Sequence, residues 1–80
     1  IQVPLHSSFP YKSRQIIGKK IKQVREKKQL TLEQLADLLG TDRQHIWNIE
    51  AGRKNFTMDY LDRIAKVLDV SLSEFLNTNI

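Results

Sequence analysis

Cysteine is absent from this chain of 80 residues, which excludes a disulfide framework, a thiolate zinc site and a thiol nucleophile. Long apolar runs are absent as well: no stretch approaches the roughly 18 residues that a membrane-crossing helix needs, so no membrane partner is expected. The two histidines, His6 and His45, are far apart in the sequence, and no HExxH pair or Cys/His cluster exists. No metal and no cofactor is therefore expected. Paired carboxylates, an activated nucleophile and a glycine-rich phosphate loop are all missing, and the expectation is that the protein is not an enzyme. Proline is scarce, and both copies, Pro4 and Pro10, fall in the first ten residues. No basic-then-apolar leader is read at the start, so the expected location is cytoplasmic. A chain of this length makes one small domain with a thin core and little room for a deep substrate cavity.

What is present is basic charge, unevenly spread. The formal net charge is +4, but residues 12–28 alone carry +7, from Lys12, Arg14, Lys19, Lys20, Lys22, Arg25, Lys27 and Lys28 against Glu26. Residues 29–42 carry −3, residues 43–54 carry +2 and residues 55–80 carry −2. A basic end and a mildly acidic end suit a polyanion met on one side. Most of the lysines in 12–28 read as a solvated helix face, with only those near the helix ends able to approach such a partner.

Two segments are distinguished. Residues 1–12 form an extended arm: Ile1, Val3 and Leu5 alternate, and the prolines oppose a helix. Residues 13–80 form an all-α domain. Ile17, Ile21 and Val24 recur at helical spacing, and Gly18 between them marks an initial turn or a close helix contact. Three helix starts use one device. Thr31 with Gln34, Thr57, and Ser71 with Glu74 are caps, and the pairs Leu30/Leu35, Phe56/Leu61 and Val70/Phe75 are hydrophobic staples across them. Asp42 is a plainer cap. The predicted helices span 14–28, 32–39, 43–50, 58–68 and 72–77.

Function concentrates in TLEQLADLLGTDRQHIWNIEAG, residues 31–52. Two short helices meet across Gly40, which suits a left-handed helix end, while the small Ala36 permits a close crossing. Leu35, Leu39, Ile46 and Ile49 make the apolar seam between them. With Ile46 and Ile49 turned inward, Arg43, Gln44, Trp47 and Asn48 face outward and His45 lies near the edge. Gln and Asn side chains can bond adenine edges in two places, and Arg can do the same to guanine.

The segments IGKKIKQVREKKQLT, LEQLADLLG, IWNIEAGRKN and TMDYLDRIAKVLDV resemble the lambda-repressor/Cro-like (Xre-type) helix–turn–helix domains. The part GRKNFTMDYLDRIAKVLDV is most similar to restriction–modification controller proteins and small antitoxin-type repressors. The resemblance implies a compact five-helix, lambda-repressor-like DNA-binding fold behind an extended N-terminal arm, and a sequence-specific transcription regulator, most simply a repressor. It implies base contacts from Arg43, Gln44 and Asn48. It implies phosphate contacts from the helix N-terminus at Thr31 and Leu32, from His45, and from Arg53, Lys54 and Asn55. It also implies a structural ion pair between Arg25 and Glu50. Leu32 departs from the family, standing where a phosphate-binding glutamine is frequent. Trp47 departs too, standing where a small hydroxyl residue is frequent; its indole is open to a sugar–phosphate strand, a thymine methyl or a partner protein. The last helix matches an element that often builds a dimer, and Leu72, Phe75, Leu76 and Ile80 are the expected interface; Leu72 can also close the core with Val70, while Phe75, Leu76 and Ile80 exceed what five short helices need, so a homodimer on double-stranded DNA is expected. The alternative is an antitoxin that binds a partner toxin and uses DNA binding to regulate its own promoter.

Overall fold

A computed structural model describes residues 9–76. The elements are α1 (Tyr11–Lys27), α2 (Leu32–Leu39), α3 (Arg43–Glu50), α4 (Met58–Val67) and α5 (Ser73–Leu76), and among the described residues no β-strand forms. Most of the predicted arm, with His6, and the terminal Ile80 lie outside the described residues.

Capping chemistry starts α2, α3 and α4 where the sequence predicts. Thr31 Oγ1 accepts from the Gln34 amide at 3.0 Å while Gln34 Oε1 accepts from the Thr31 amide at 2.8 Å, a complete capping box. Asp42 accepts from the His45 amide at 2.8 Å, and Thr57 Oγ1 from the Tyr60 amide at 3.1 Å. Ser71 differs: its hydroxyl meets Ser73 Oγ at 2.9 Å, and the Glu74 amide bonds the Ser71 carbonyl instead, so α5 opens with a tight backbone turn at Ser73.

Helix α1 also differs, starting at Tyr11 and not near residue 14. Pro10 occupies the N-cap with φ −61°, and its carbonyl accepts the Arg14 amide at 2.9 Å. Proline is barred from a helix interior because it lacks an N–H, but the N-cap and first turn need no such donor. Residues 11 and 12, expected in the arm, belong to α1, and Phe9 is buried against Phe56, ring centroids 5.1 Å apart.

The core is a single cluster drawn from all five helices together with Phe9, Phe56 and Leu68. Ile17, Ile21 and Val24 come from α1, Leu35, Ala36 and Leu39 from α2, Ile46 and Ile49 from α3, and Leu61, Ile64 and Ala65 from α4. Phe75 belongs here too, with no exposed surface at all. That corrects its expected place on a dimer surface: α5 is too short to bury anything but one large side chain, and the phenyl ring is that anchor. Gly18 resolves as a helix contact. A Cβ on it would lie 2.5 Å from the Ile49 carbonyl oxygen and 2.7 Å from that of Glu50, so α1 and α3 touch backbone to backbone.

Candidate nucleic-acid interface

Helix α3 is held from beneath and bare above. Ile46 and Ile49 are each 1% exposed, whereas Arg43 and Gln44 are exposed, Asn48 is half-buried and Trp47 is 41% exposed. Side chains three apart on a two-turn helix share a face, so burying the isoleucines turns the others outward. Gln44 Nε2 donates weakly to Asn48 Oδ1 at 3.4 Å, which places the two amides side by side along one exposed strip. The predicted outward set is thus brought together on one surface.

The end of α3 is set by Gly52, at φ 75°. Its amide donates to Ile49 at 3.1 Å and that of Arg53 to Asn48 at 2.9 Å, the paired bonds of a left-handed helix terminus. The chain then leaves the helix as an exposed run, Arg53, Lys54 and Asn55. The Arg53 guanidinium carbon lies 5.2 Å from the centroid of the Trp47 ring, so the first loop cation stacks on the exposed indole. Leu32, at the start of α2, is half-buried, and with Trp47, Ala51 and Lys22 it borders a shallow cleft of about 280 Å³. The two residues that depart from the family pattern are therefore neighbours.

His45 sits at the other edge of α3. Its ring meets the Tyr60 ring edge-on, centroids 5.7 Å apart. Burial lowers its pKa below the usual 6.5, and nearby Lys54 adds to the lowering against an opposing effect of Asp42. Burial likewise raises the Tyr60 pKa, countered by Arg63. Neither Tyr60 nor Arg63 stands out in the sequence, where nothing local shows that Tyr60 of α4 meets His45 of α3.

Beneath the exposed strip lies an ion pair. Arg25 Nε donates to Glu50 Oε2 at 2.7 Å and a terminal nitrogen to Oε1 at 3.1 Å, while the other donates to the Leu30 carbonyl at 2.7 Å. The Glu50 hydrogen bond raises the Arg25 pKa against the opposing pull of burial. Among the described residues no buried side-chain nitrogen or oxygen lacks a partner. The pair binds α1 to α3 and leaves neither charge for a ligand.

A helix–turn–helix family model (HTH_3) matches residues 21–75. The chain belongs to this helix–turn–helix family. Its fold is that of the Xre-type, lambda-repressor-like domains of DNA-binding transcription regulators. Among curated proteins it is similar to the HTH-type transcriptional regulator SinR of Bacillus licheniformis, 35% identical over 63 residues. That match takes in 78% of this chain and 57% of SinR, so the chain spans little more than half the length of this relative. Among solved structures it resembles the restriction-modification controller protein C.AhdI of Aeromonas hydrophila, with TM-score 0.76 and 29% identity over 81% of this chain and 94% of that one. It also resembles SinR in complex with DNA, with TM-score 0.68 and 34% identity over 75% of this chain and 97% of that one. A second SinR structure, a complex with the SinI protein, matches with the same TM-score of 0.68 and 34% identity, over 76% of this chain and 60% of that one. Among the described residues no helix is long and apolar enough to cross a membrane.

Proposed function

We propose that this helix–turn–helix domain reads double-stranded DNA through α3 and works as a homodimer on a near-palindromic operator, regulating transcription by occupying a promoter. The observation that carries the reading is the orientation of α3: two isoleucines buried to 1% exposure leave Arg43, Gln44, Trp47 and Asn48 on the outer face. Arg43, Gln44 and Asn48 discriminate between bases, each two-point contact being worth about 1–3 kcal/mol against the wrong base. Trp47 borders them on the side of α2, where its indole packs on the DNA. His45, Arg53, Lys54 and Asn55 meet phosphates, as do backbone amides at the N-terminus of α2 around Thr31 and Leu32; the Thr31 hydroxyl is already engaged in its capping box. The phosphate contacts supply most of the affinity and its salt dependence.

Leu76, 41% exposed, supports a self-complementary patch around α5; half-buried Leu72 packs against the core, and Phe75 does not contribute to the patch. Two such protomers set their α3 helices into successive major grooves about 34 Å apart. Selection from random duplexes returns the half-site and its spacing together. On the selected duplex, Gln44→Ala relaxes base preference at one position of each half-site and leaves the salt dependence unchanged. Equal weakening on every sequence would remove Gln44 from the reading surface.

A second reading, an antitoxin-type module that silences a partner protein, draws on the SinR–SinI complex and on two exposed apolar side chains, Trp47 and Leu38. A small protein that co-purifies with the chain, and is released by Trp47→Ala, favours it.

A further inference from the structure

We propose that Arg14 is a positioning residue for the loop after α3: the first turn of α1 grips Gly52 and so holds Arg53, Lys54 and Asn55 in one place beside the recognition helix. The inference deepens the DNA reading above and rests on it. Four observations converge. First, Arg14 Nε donates to the Gly52 carbonyl at 3.1 Å, a side chain reaching across 38 residues of sequence to the backbone of the turn itself. Second, that side chain is itself steadied. Its guanidinium carbon stands 5.0 Å from the centroid of the Tyr11 ring, and the Tyr11 hydroxyl accepts from Gln15 Nε2 at 2.8 Å. Third, the contact is close: a Cβ on Gly52 would lie 2.5 Å from Gln15 Cγ and 2.9 Å from Gln15 Cα, so glycine is required by packing as well as by its positive φ. Fourth, the far end of the loop is pinned by the same segment, since Phe9 packs on Phe56.

The exposed run 53–55 is therefore strung between two anchors, Gly52 and Phe56, both gripped by residues 9–15. A loop held in its bound shape loses less conformational entropy when it meets phosphate, and binds more tightly for that reason alone. The family match begins at residue 21, after this brace.

Removing Arg14 also removes a positive charge, so the test must separate positioning from simple attraction. A double-mutant cycle on one duplex does this, with affinities measured for the wild type, Arg14→Gln, Lys54→Ala and the double variant. Each single substitution is expected to weaken binding about fivefold on all sequences alike, the scale of one hydrogen bond or one phosphate contact. The double variant is expected to bind little worse than either single one, because a loosened loop no longer holds Lys54 at its phosphate. Lys12→Gln removes the same charge two residues away, and its effect should multiply with that of Lys54→Ala. In the DNA-free protein, Arg14→Gln should speed amide exchange at Arg53 and Lys54 while leaving Ile64 in α4 as protected as before, which also shows that the variant folds. Should Arg14→Gln fold poorly, Tyr11→Leu keeps the charge, removes the ring beneath it, and gives the same pattern more weakly. Fully multiplicative effects of Arg14→Gln and Lys54→Ala, or unchanged exchange at the loop, overturn the brace while leaving the DNA reading intact. A wild-type chain with no affinity for any duplex overturns the DNA reading and the DNA half of this inference with it.

Discussion

Glu50→Ala is the substitution with the largest effect for which the structure supplies a magnitude. The Arg25 and Glu50 side chains are only 8% and 5% exposed, and their two bonds are joined by a third from Arg25 to the Leu30 carbonyl. Deleting the carboxylate leaves a guanidinium buried without its counter-charge, which costs about 3–5 kcal/mol in comparable sites. A chain of this length has a total stability of about 4–12 kcal/mol, so this one change removes a large part of it. At about 4–8 °C per kcal/mol, the melting temperature falls by roughly 12–40 °C. Urea titration followed by circular dichroism reads the loss directly. The decisive comparison is Arg25→Met with Glu50→Leu together. Two apolar side chains of similar volume bury no unpaired charge, and the double variant should recover most of what Glu50→Ala loses. A loss under about 1 kcal/mol for Glu50→Ala would show that water reaches the arginine, and the pair would be no more than a surface ion pair. A double replacement as unstable as the single one would show that the ions are needed for something other than each other.

Three further outcomes are expected. Overpacking on the Ile49 and Glu50 carbonyls costs about 1–3 kcal/mol against the roughly 1 kcal/mol that alanine gains within a helix, so Gly18→Ala should lower stability by up to about 2 kcal/mol; a variant more stable to urea than the wild type would show that α1 can shift away freely. Because His45 has its pKa lowered in the fold, the unfolded chain takes up the proton first as pH falls through 6.5. Stability contributed by neutral His45 is therefore full above 6.5 and is lost below it, down to the folded pKa; in His45→Asn the stability curve should be flatter over that window, and an identical curve would refute the shift. Trp47 is the single tryptophan of the chain, so its fluorescence should change and become shielded from iodide when duplex DNA binds, and an unaltered spectrum at saturation would place the indole outside the interface.

The parts of this molecule legible in the sequence are those decided within a turn or two of chain. Thr31 with Gln34, Asp42 and Thr57 cap helices because the amides they bond lie three residues on, and Ile46 with Ile49 orient α3 because helical geometry relates them directly. Where local rules were applied too strictly they misplaced an edge. Pro10 opposes a helix around it, yet it opens one, and helices α1 and α4 end a residue early because Gln29 and Asp69 adopt the left-handed conformation usually left to glycine. Contacts between distant residues left weaker traces. The Arg25–Glu50 pair was readable only through family resemblance. Phe75 looked surplus because counting apolar residues does not say which of them the core can reach. Nothing in the sequence pointed from Arg14 to Gly52, since one arginine in a basic run looks like any other until the turn it touches is in place.

These distant contacts share a purpose that the short length of α3 explains. Eight residues make little more than two turns, and a helix so short has no stability of its own in water. Its direction must come from its neighbours, and α1 supplies it at three successive points along the helix pair. Gly18 lets the backbones touch, Arg25 fixes the carboxylate of Glu50, and Arg14 holds the carbonyl of Gly52. The basic character of α1 thus divides in two. Its two arginines turn toward the end of α3, and lysines at positions such as 12, 19 and 22 remain exposed to solvent. Exchanging Arg14 or Arg25 for lysine would preserve the net charge of the chain and forfeit the planar, multi-donor geometry, so the two positions should tolerate such exchange far less well than the exposed lysines tolerate arginine.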